Sequence, residues 1–471
     1  MRFVNSLTLL ILSIHFLSAQ SWHIMLNEAY HNYKESTITD RRFKHRDIEP
    51  LIAKTATHPE FSVKTLGTSV QGRPIYLVRA GHGPHKVFMW SQMHGNESTA
   101  TMALMDLFNF LRANDEFNGI RQTIFNNLTI YMIPMLNPDG AEQFTRRNAY
   151  DIDINRDALR LSSPEARILK ATRDSLQPEY GFNLHDQNRY TSVGISGKTA
   201  TISFLAPAFD WDKSVNDVRR RSLQLIVSLN NMLQNYLPGQ VAKYDDTFEP
   251  RAFGDNIQKW GTSTILIECG GQPGDLEKQL IRKMNFLLFL TAFESIASGE
   301  HLKNNTEDYF RKIPENARYL HELIIRNGTC NTPYGPVVLD IGFAMNERDN
   351  AEATRFSQST YIADLGDLST YSAYEELNAA GYTILPGQLY IPNAQELKNH
   401  QIQEEDLLTK GYLWLPLSLK SEFPDVKLMQ WTPADAFRPT TINMGQNPGL
   451  ILVRDGTPVG TVVNGVWNKS E

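Results

Sequence analysis

A histidine and a glutamate lie three positions apart in the segment His94-Gly95-Asn96-Glu97, just after an apolar run that ends at Trp90. A neutral imidazole and a carboxylate brought together can bind zinc, and loops at strand ends hold such ligands rigidly. Roughly one His-x-x-Glu match is expected by chance in a chain of this length. Taken alone, the pair is more often structural than metal-binding.

His185 is the candidate for a third ligand, because no other histidine occurs between His94 and His301. It directly follows the apolar run 182–184. A single histidine after a strand is usually a polar residue with a local partner. Its strand-end position nevertheless favours a ligand, since functional residues gather where strands end at one edge of an α/β sheet.

Glu268 ends another apolar run, 264–267. A carboxylate there is costly unless it faces a cleft or a partner, and a zinc hydrolase needs such a group to accept a proton from water. The loop region after residues 136–140 supplies further polar side chains, namely Arg146, Arg147, Asn155 and Arg156. A guanidinium suits a substrate carboxylate or a developing oxyanion. An ordinary solvated loop with surface arginines would have the same composition.

The segments that must position these residues lie between Phe61 and about Ala297. There, apolar runs of strand length alternate with segments whose apolar residues have helical spacing. The predicted strands are 87–90, 128–135, 182–184 and 264–267, and the predicted helices are 98–111, 215–237 and 275–298. This alternation is typical of an α/β sheet with helices packed on its faces. After Gly299, short β-rich runs at 337–339, 382–384, 449–453 and 461–463 indicate a second, β-rich domain.

The chain divides into three predicted parts. Residues 1–20 begin with a basic residue, continue with an apolar stretch too short to span a membrane and end with small residues, which is typical of a cleaved signal peptide. Residues 21–300 would form a catalytic domain, and residues 301–471 a helical linker with the β-rich domain. We therefore expect a periplasmic or secreted protein with no membrane span after cleavage.

The net charge and the cysteine content limit the partners and the cross-links that the sequence predicts. The chain of 471 residues has a formal net charge of −6, spread without a basic block, so nucleic acid is not an expected partner. Its two cysteines are Cys269 and Cys330. An exported protein permits a disulfide between them, and two buried free thiols are equally compatible with the sequence.

Five motifs in chain order resemble the zinc carboxypeptidases related to carboxypeptidase A, especially their bacterial branch. They are His-Gly-Asn-Glu, Asn-Pro-Asp-Gly, an arginine ahead of Asp-Ile-Asn-Arg, Leu-His and Ile-Glu, within residues 62–297. The resemblance implies a mixed sheet flanked by helices, one zinc ion and a peptidase with water on the zinc as nucleophile. Its substrates would be amide bonds near a free carboxylate, in peptides or peptidoglycan fragments.

The resemblance also assigns the metal site. His94, Glu97 and His185 would bind zinc and leave one coordination position open for water. Asp153 would orient His94 by accepting a hydrogen bond from its second ring nitrogen, as carboxylates beside zinc ligands commonly do.

The remaining roles concern the substrate. Glu268 would be the general base and then the proton donor to the leaving amine. Arg146 would polarise the scissile carbonyl and hold the oxyanion, with Arg147 as the fallback for that role. Asn155 and Arg156 would bind the terminal carboxylate of the substrate.

Four positions depart from the family pattern or leave it open. Asp157 stands where the family often has asparagine, and it would either alter the preferred substrate or point away. Tyr244 is the one tyrosine near the position of the mobile tyrosine in the digestive enzymes, and that role is not carried over. Arg251 and Asp255 would line a specificity pocket or form a surface salt bridge.

Two other functions use the same residues. A zinc deacylase of N-acyl amino acids would need the same metal ligands, so a comparison of substrates is required to separate it from a peptidase. A non-catalytic binding protein that retains the fold would be expected to have lost Glu268 or a ligand, and this chain has lost none of them.

Overall fold

The computed structural model describes residues 22–435, 442–447 and 449–469. The predicted signal peptide at residues 1–20 lies outside them. The described residues form two compact units, one from residue 22 to 194 together with 198–317, and the other of residues 195–197 together with the described residues from 318 to 469. For the linker, the sequence predicts a helix within residues 306–327; the structure has the short helix Glu307–Lys312 there, and the long strand that begins at Leu320 occupies the rest.

An eight-stranded sheet forms the centre of the first unit. In spatial order its strands are β1 (Phe61–Thr68), β2 (Pro74–Ala80), β4 (Leu128–Ile133), β3 (His85–Ser91), β5 (Tyr180–Asp186), β9 (Ser263–Cys269), β7 (Ile202–Leu205) and β8 (Val241–Lys243). Strands β4, β3, β5 and β9 are parallel, whereas β1, β2 and β7 each form antiparallel pairs. The predicted mixed α/β fold is confirmed.

Helices accompany this sheet. They are α1 (described at residues 22–29), α2 (His45–Thr55), α3 (Thr99–Arg112), α4 (Asn118–Asn127), α5 (Pro138–Gln143), α6 (Pro164–Leu176), α7 (Asp217–Leu233), α8 (Phe253–Lys259), α9 (Gln279–Ser298) and α10 (Glu307–Lys312). The three long predicted helices correspond to α3, α7 and α9. Helix α9 begins where Asp275 accepts hydrogen bonds from the first backbone N–H groups, and it ends at Gly299, whose φ of 72° suits glycine.

Strand β3 is buried on both faces, which explains its continuous apolar run. Val87 and Met89 belong to the core cluster that contains α3, α7 and α9. Phe88 and Trp90 belong to a second cluster with residues of α6 and α8. Alternate side chains of a strand point to opposite faces, so the sheet separates two apolar layers.

The carboxyl ends of the central parallel strands lie at one edge of the sheet. His185 and Glu268 are paired in register between β5 and β9, and Trp90 of β3 pairs with Asn183 of β5. The loop after β3 therefore emerges beside the ends of β5 and β9. This edge is where polar side chains from separate strands converge.

The second unit is β-rich, as predicted. Its main sheet has the order β13 (Phe356–Gly366), β12 (Gly335–Asp349), β11 (Leu320–Thr332), β15 (Thr383–Pro386), β19 (Gly449–Arg454), β20 (Thr457–Val463) and β21 (Val466–Lys469), with β14 (Ser372–Asn378) also paired to β11. A separate three-stranded sheet contains β16 (Gln388–Leu389), β17 (Tyr412–Pro416) and β18 (Gln430–Thr432). In the first unit, the short strands β6 (Ser192–Val193) and β10 (Asn316–Ala317) pair with each other. The four predicted β-rich runs coincide with parts of β12, β15, β19 and β20.

Cys269 and Cys330 are both free and buried, so the alternative with two thiols is the one observed. Across the described residues, no helix is both long enough and apolar enough to cross a bilayer.

Candidate metal centre

The loop after β3 turns sharply before the first predicted ligands. Gln92 has a φ of 52°, a left-handed conformation that a residue with a side chain rarely adopts. Its side-chain Nε2 donates a hydrogen bond to the Gly95 carbonyl at 2.9 Å, and the Glu97 N–H donates to the His94 carbonyl at 3.1 Å. These bonds close the loop and bring His94 and Glu97 to the same side.

His94, Glu97 and His185 converge in the folded chain. Nδ1 of His94 lies 2.8 Å from Oε1 of Glu97, and Nδ1 of His185 lies 2.7 Å from Oε2 of the same carboxylate. One possible donor atom from each residue lies within 4.8 Å of the others, and all three residues are buried. Among the described residues this is the one such cluster of histidine, cysteine and acidic side chains.

Charges within the cluster shift its pKa values. Burial by itself would raise the pKa of Glu97, but His94 and His185 beside it hold that pKa well below its usual range. Burial lowers the pKa of His185, which favours the neutral imidazole that a metal requires. Burial also opposes charge on His94, yet Glu97 and Asp153 raise its pKa.

The donor set fits a zinc ion. His94 has a carboxylate within hydrogen-bond distance of both ring nitrogens, since Nε2 lies 3.0 Å from Oδ1 of Asp153. Two imidazole nitrogens and one carboxylate oxygen are ordinary zinc ligands, and three protein ligands leave a position open. Asp153 contacts the ring nitrogen of His94 that faces away from Glu97, which is the position that the predicted orienting role requires.

Arg146 joins this cluster. Its Nη1 lies 3.1 Å from Nδ1 of His94 and 3.2 Å from Oε1 of Glu97. Its Nε and Nη2 contact Oδ2 of Asp153 at 3.1 Å and 3.0 Å. Arg147, the fallback, instead donates to the backbone carbonyl of Asp151 at 2.7 Å. The structure therefore brings Arg146 to the centre and directs Arg147 elsewhere.

Glu268 is buried at the same edge, opposite His185 in the sheet. Burial raises its pKa well above the usual range, and the nearby carboxylates of Glu97 and Asp186 raise it further. Arg146 and Lys278 act in the opposite direction. A cation bound beside Glu268 would likewise favour its charged form.

Lys278 and Asp186 were not predicted from the sequence. Nζ of Lys278 donates to Oδ2 of Asp186 at 3.0 Å and to the Cys269 carbonyl at 2.9 Å, while the Thr99 hydroxyl donates to the same Asp186 oxygen at 2.6 Å. Both residues directly adjoin predicted elements of the site, but a lysine in a loop before α9 carries no signal of its own. These bonds fix the ends of β5 and β9.

Asn155 and Arg156 lie beside the segment that precedes α8. Oδ1 of Asn155 accepts a hydrogen bond from the Phe253 N–H at 2.9 Å, and Nε of Arg156 lies 3.3 Å from Oε2 of Glu249. Asp157 accepts hydrogen bonds from Ser162 and Ser163 instead. The departure from the family pattern at Asp157 therefore stabilises the following turn.

Arg251 and Asp255 do not pair with each other. Arg251 forms a two-bond pair with Glu249, and Oδ1 of Asp255 accepts from the Glu249 N–H at 3.0 Å. Tyr244 is partly exposed, and its N–H donates to the Phe204 carbonyl at 2.8 Å.

Asp255 gives a pH-dependent stability. Burial raises its pKa from 3.8 to about 7, against the hydrogen bond from the Glu249 N–H, which lowers it. The charge of Glu249 also raises the pKa, and the charge of Arg156 lowers it. The folded state therefore binds the Asp255 proton more tightly than the unfolded state does. The stability that this proton contributes is greatest below about pH 4 and is lost as the pH rises to about 7. Relative to wild type, Asp255→Asn should gain on the order of 3 kcal/mol between pH 4 and pH 8 in denaturant unfolding. If the free energy of unfolding changes with pH in the same way in wild type and Asp255→Asn, the prediction is contradicted.

The loop after β3 that carries His94 and Glu97 is closely packed at Gly95. A Cβ at this position would lie 2.0 Å from the carbonyl carbon of Gly140, so the loop would have to move. We expect Gly95→Ala to destabilise the protein by about 1–3 kcal/mol and to weaken metal binding, measured by unfolding and by metal titration. Gly119→Ala is the matched control, because nothing lies within 4 Å of its added Cβ. Equal behaviour of the two variants would refute the steric argument.

The family comparison agrees with this geometry. Residues 48–187 match the family model described as zinc carboxypeptidase, a segment that includes all three predicted ligands. Over this segment the chain is similar to the zinc carboxypeptidases. Glu268 lies beyond the matched segment, on the neighbouring strand β9. The expected resemblance to this hydrolase family is thus confirmed for residues 48–187.

Curated relatives share part of this domain. Carboxypeptidase SOL1 of Arabidopsis thaliana is 30% identical over 99 residues, 20% of each chain. Carboxypeptidase 2 of Trichophyton tonsurans is 28% identical over 135 residues, 28% of this chain and 24% of the relative. The uncharacterized protein YqgT of Bacillus subtilis is 35% identical over 91 residues, 18% of this chain and 24% of the relative. The chain therefore spans about a quarter or less of these relatives.

Solved structures with a similar fold include a metallo-carboxypeptidase from Burkholderia cenocepacia, with a TM-score of 0.45 and 17% identity over 55% of this chain and 70% of that one. Carboxypeptidase A from Helicoverpa armigera gives a TM-score of 0.44 and 13% identity over 60% of this chain and 81% of that one.

Proposed function

We propose that this chain is a secreted zinc metallopeptidase that hydrolyses amide bonds near a free carboxylate. The observation that carries the proposal is the convergence of His94, Glu97 and His185 at the sheet edge that also holds the buried Glu268. A metal site without an acid-base group would suit a storage or structural role. A carboxylate beside an open metal position instead suits hydrolysis.

Each residue has a chemical task in this proposal. A zinc ion held by the three ligands would polarise the scissile carbonyl and activate a water molecule. Glu268 accepts the proton from the attacking water and passes it to the leaving amine. Arg146, 43% exposed at its side chain, donates hydrogen bonds to the carbonyl oxygen as negative charge develops there. Asp153 keeps His94 in the orientation and tautomer that the ligand role requires.

The substrate class follows from Arg156, whose side chain is 38% exposed and which lies three residues after Asp153, the partner of His94. A guanidinium in this position suits a carboxylate on the residue released by hydrolysis. Peptides and peptidoglycan fragments both present such a group. The proposal includes export, because the first 20 residues have the composition of a signal peptide.

The test is metal content and hydrolysis in one preparation. Purified protein should bind one zinc per chain and cleave peptides that are blocked at the N-terminus and free at the C-terminus, or murein peptides. Chelation should remove both the metal and the activity. Cleavage of N-acyl amino acids without cleavage of peptides would favour a deacylase. Absence of bound metal after zinc titration would refute the proposed hydrolase.

A further inference from the structure

A carboxylate of the protein itself already contacts the arginine that would bind the substrate carboxylate. Oε2 of Glu249 lies 3.3 Å from Nε of Arg156. The same carboxylate is held more closely by Arg251, through hydrogen bonds of 3.0 Å from Nε and 2.9 Å from Nη2. Glu249 therefore makes a two-bond pair with Arg251 and one longer contact with Arg156.

The segment that carries Glu249 and Arg251 is fixed against the loop that carries Arg156. The Ala158 N–H donates to the Arg251 carbonyl at 3.2 Å. The Phe253 N–H donates to Asn155 at 2.9 Å. Because these bonds join the two segments on either side of the charged groups, the contact between Glu249 and Arg156 is part of a defined arrangement.

The charges leave room for one more carboxylate. Arg156 and Arg251 carry two positive charges, and Glu249, the carboxylate paired with both, neutralises one of them. Asp255 also faces Arg156, but burial raises its pKa to about 7 and so reduces its negative charge. Interaction with Arg251 lowers the pKa of Glu249, and Arg156 contributes to the same effect, so Glu249 is charged at neutral pH. A substrate carboxylate at Arg156 would replace one long contact and leave the Glu249–Arg251 pair intact.

We propose that Glu249 and Arg251 set the affinity of Arg156 for a substrate carboxylate, an inference that rests on the proposed function. Glu249 competes with the substrate for Arg156. Arg251 limits this competition by holding Glu249 in a bidentate pair. The pair thereby determines how strongly the enzyme distinguishes a free C-terminal acid from the corresponding C-terminal amide.

The test compares one blocked peptide as a free acid and as a C-terminal amide, both cleaved at the same bond. Glu249→Gln should lower KM for the acid about threefold to tenfold and leave kcat and the amide unchanged. Arg251→Gln should raise KM for the acid by a similar factor. In the Glu249→Gln background, Arg251→Gln should have little effect, because the competing charge is gone.

Arg220→Gln is the matched control, since Arg220 forms an exposed pair with Asp217 on α7. Zinc content of every variant shows whether the metal centre is intact. Calorimetric binding of the same acid and amide to the Glu268→Gln protein, with and without the two changes, repeats the comparison without catalysis.

The outcomes separate the two proposals. If the ratio of KM for the acid to KM for the amide stays within about twofold of wild type in both variants, the role of Glu249 and Arg251 is overturned. Hydrolysis by wild type would still uphold the proposed function. If wild type cleaves neither peptide but binding of the acid still shifts as expected, the proposed function fails and the role of the pair stands.

Discussion

Glu268→Gln is expected to lower kcat by about 10²–10⁴-fold while zinc remains bound. Glutamine fills the same volume but cannot accept a proton from water. Glu268 is buried on β9 opposite His185, and the three predicted ligands come from other segments, so the change should not remove the metal. Steady-state hydrolysis and metal analysis of the same preparation measure both effects.

Glu179→Gln provides the control for this substitution. Glu179 is partly exposed and pairs with His85 at 2.9 Å, away from the cluster of ligands. Its replacement should leave kcat within about twofold of wild type. If Glu268→Gln retains wild-type kcat with zinc bound, Glu268 is not the general base, and the proton must be accepted by another group.

Asp106→Asn should lower the free energy of unfolding by about 3–5 kcal/mol. Asp106 on α3 and Arg282 on α9 form an ion pair with both side chains fully buried. Asp106 also accepts hydrogen bonds of 2.7 Å from the Tyr30 hydroxyl and from the Glu35 N–H. Asparagine would leave the guanidinium without a counterion in the core, which is the costly way to break a buried pair. Denaturant unfolding measures the loss.

The double variant Asp106→Leu with Arg282→Met tests the electrostatic cause. It removes both charges and keeps apolar volume, so it should be more stable than Asp106→Asn. The backbone carbonyls of Ile38 and Glu35, which now accept hydrogen bonds from Arg282, would limit the recovery. A double variant no more stable than Asp106→Asn would show that packing dominates, and a loss below about 1 kcal/mol in Asp106→Asn would contradict the prediction itself.

The central strands could be predicted from sequence patterns because both of their faces are buried. The runs that became β3, β4, β5 and β9 are apolar on both faces, and helical spacing marked α3, α7 and α9 equally clearly. The two outer strands β1 and β2 alternate less regularly, and β7 and β8 have only four and three residues. Their existence depends on pairing with strands already in place, which no local pattern records.

The candidate ligands were predicted for a related reason. Residues that directly follow strands of a parallel sheet emerge at one edge, so His94, His185 and Glu268 could be brought together by strand position alone. Arg146 and Arg147 could not be separated in this way. Their neighbouring positions offer the same chemistry, and only the folded loop directs one guanidinium to His94 and the other to Asp151.

The sequence by itself determined the resemblance to zinc carboxypeptidases, the α/β order of the first unit, the β-rich second unit and the residue types of the metal site. The tertiary structure decided which charged groups are partners. Glu249 meets Arg156, Lys278 meets Asp186, and Asp106 meets Arg282, each across a long stretch of chain. The physical reason is that periodicity and strand position depend on neighbours along the chain. The partner of a charge depends on which distant segments the packed core brings within a few ångströms.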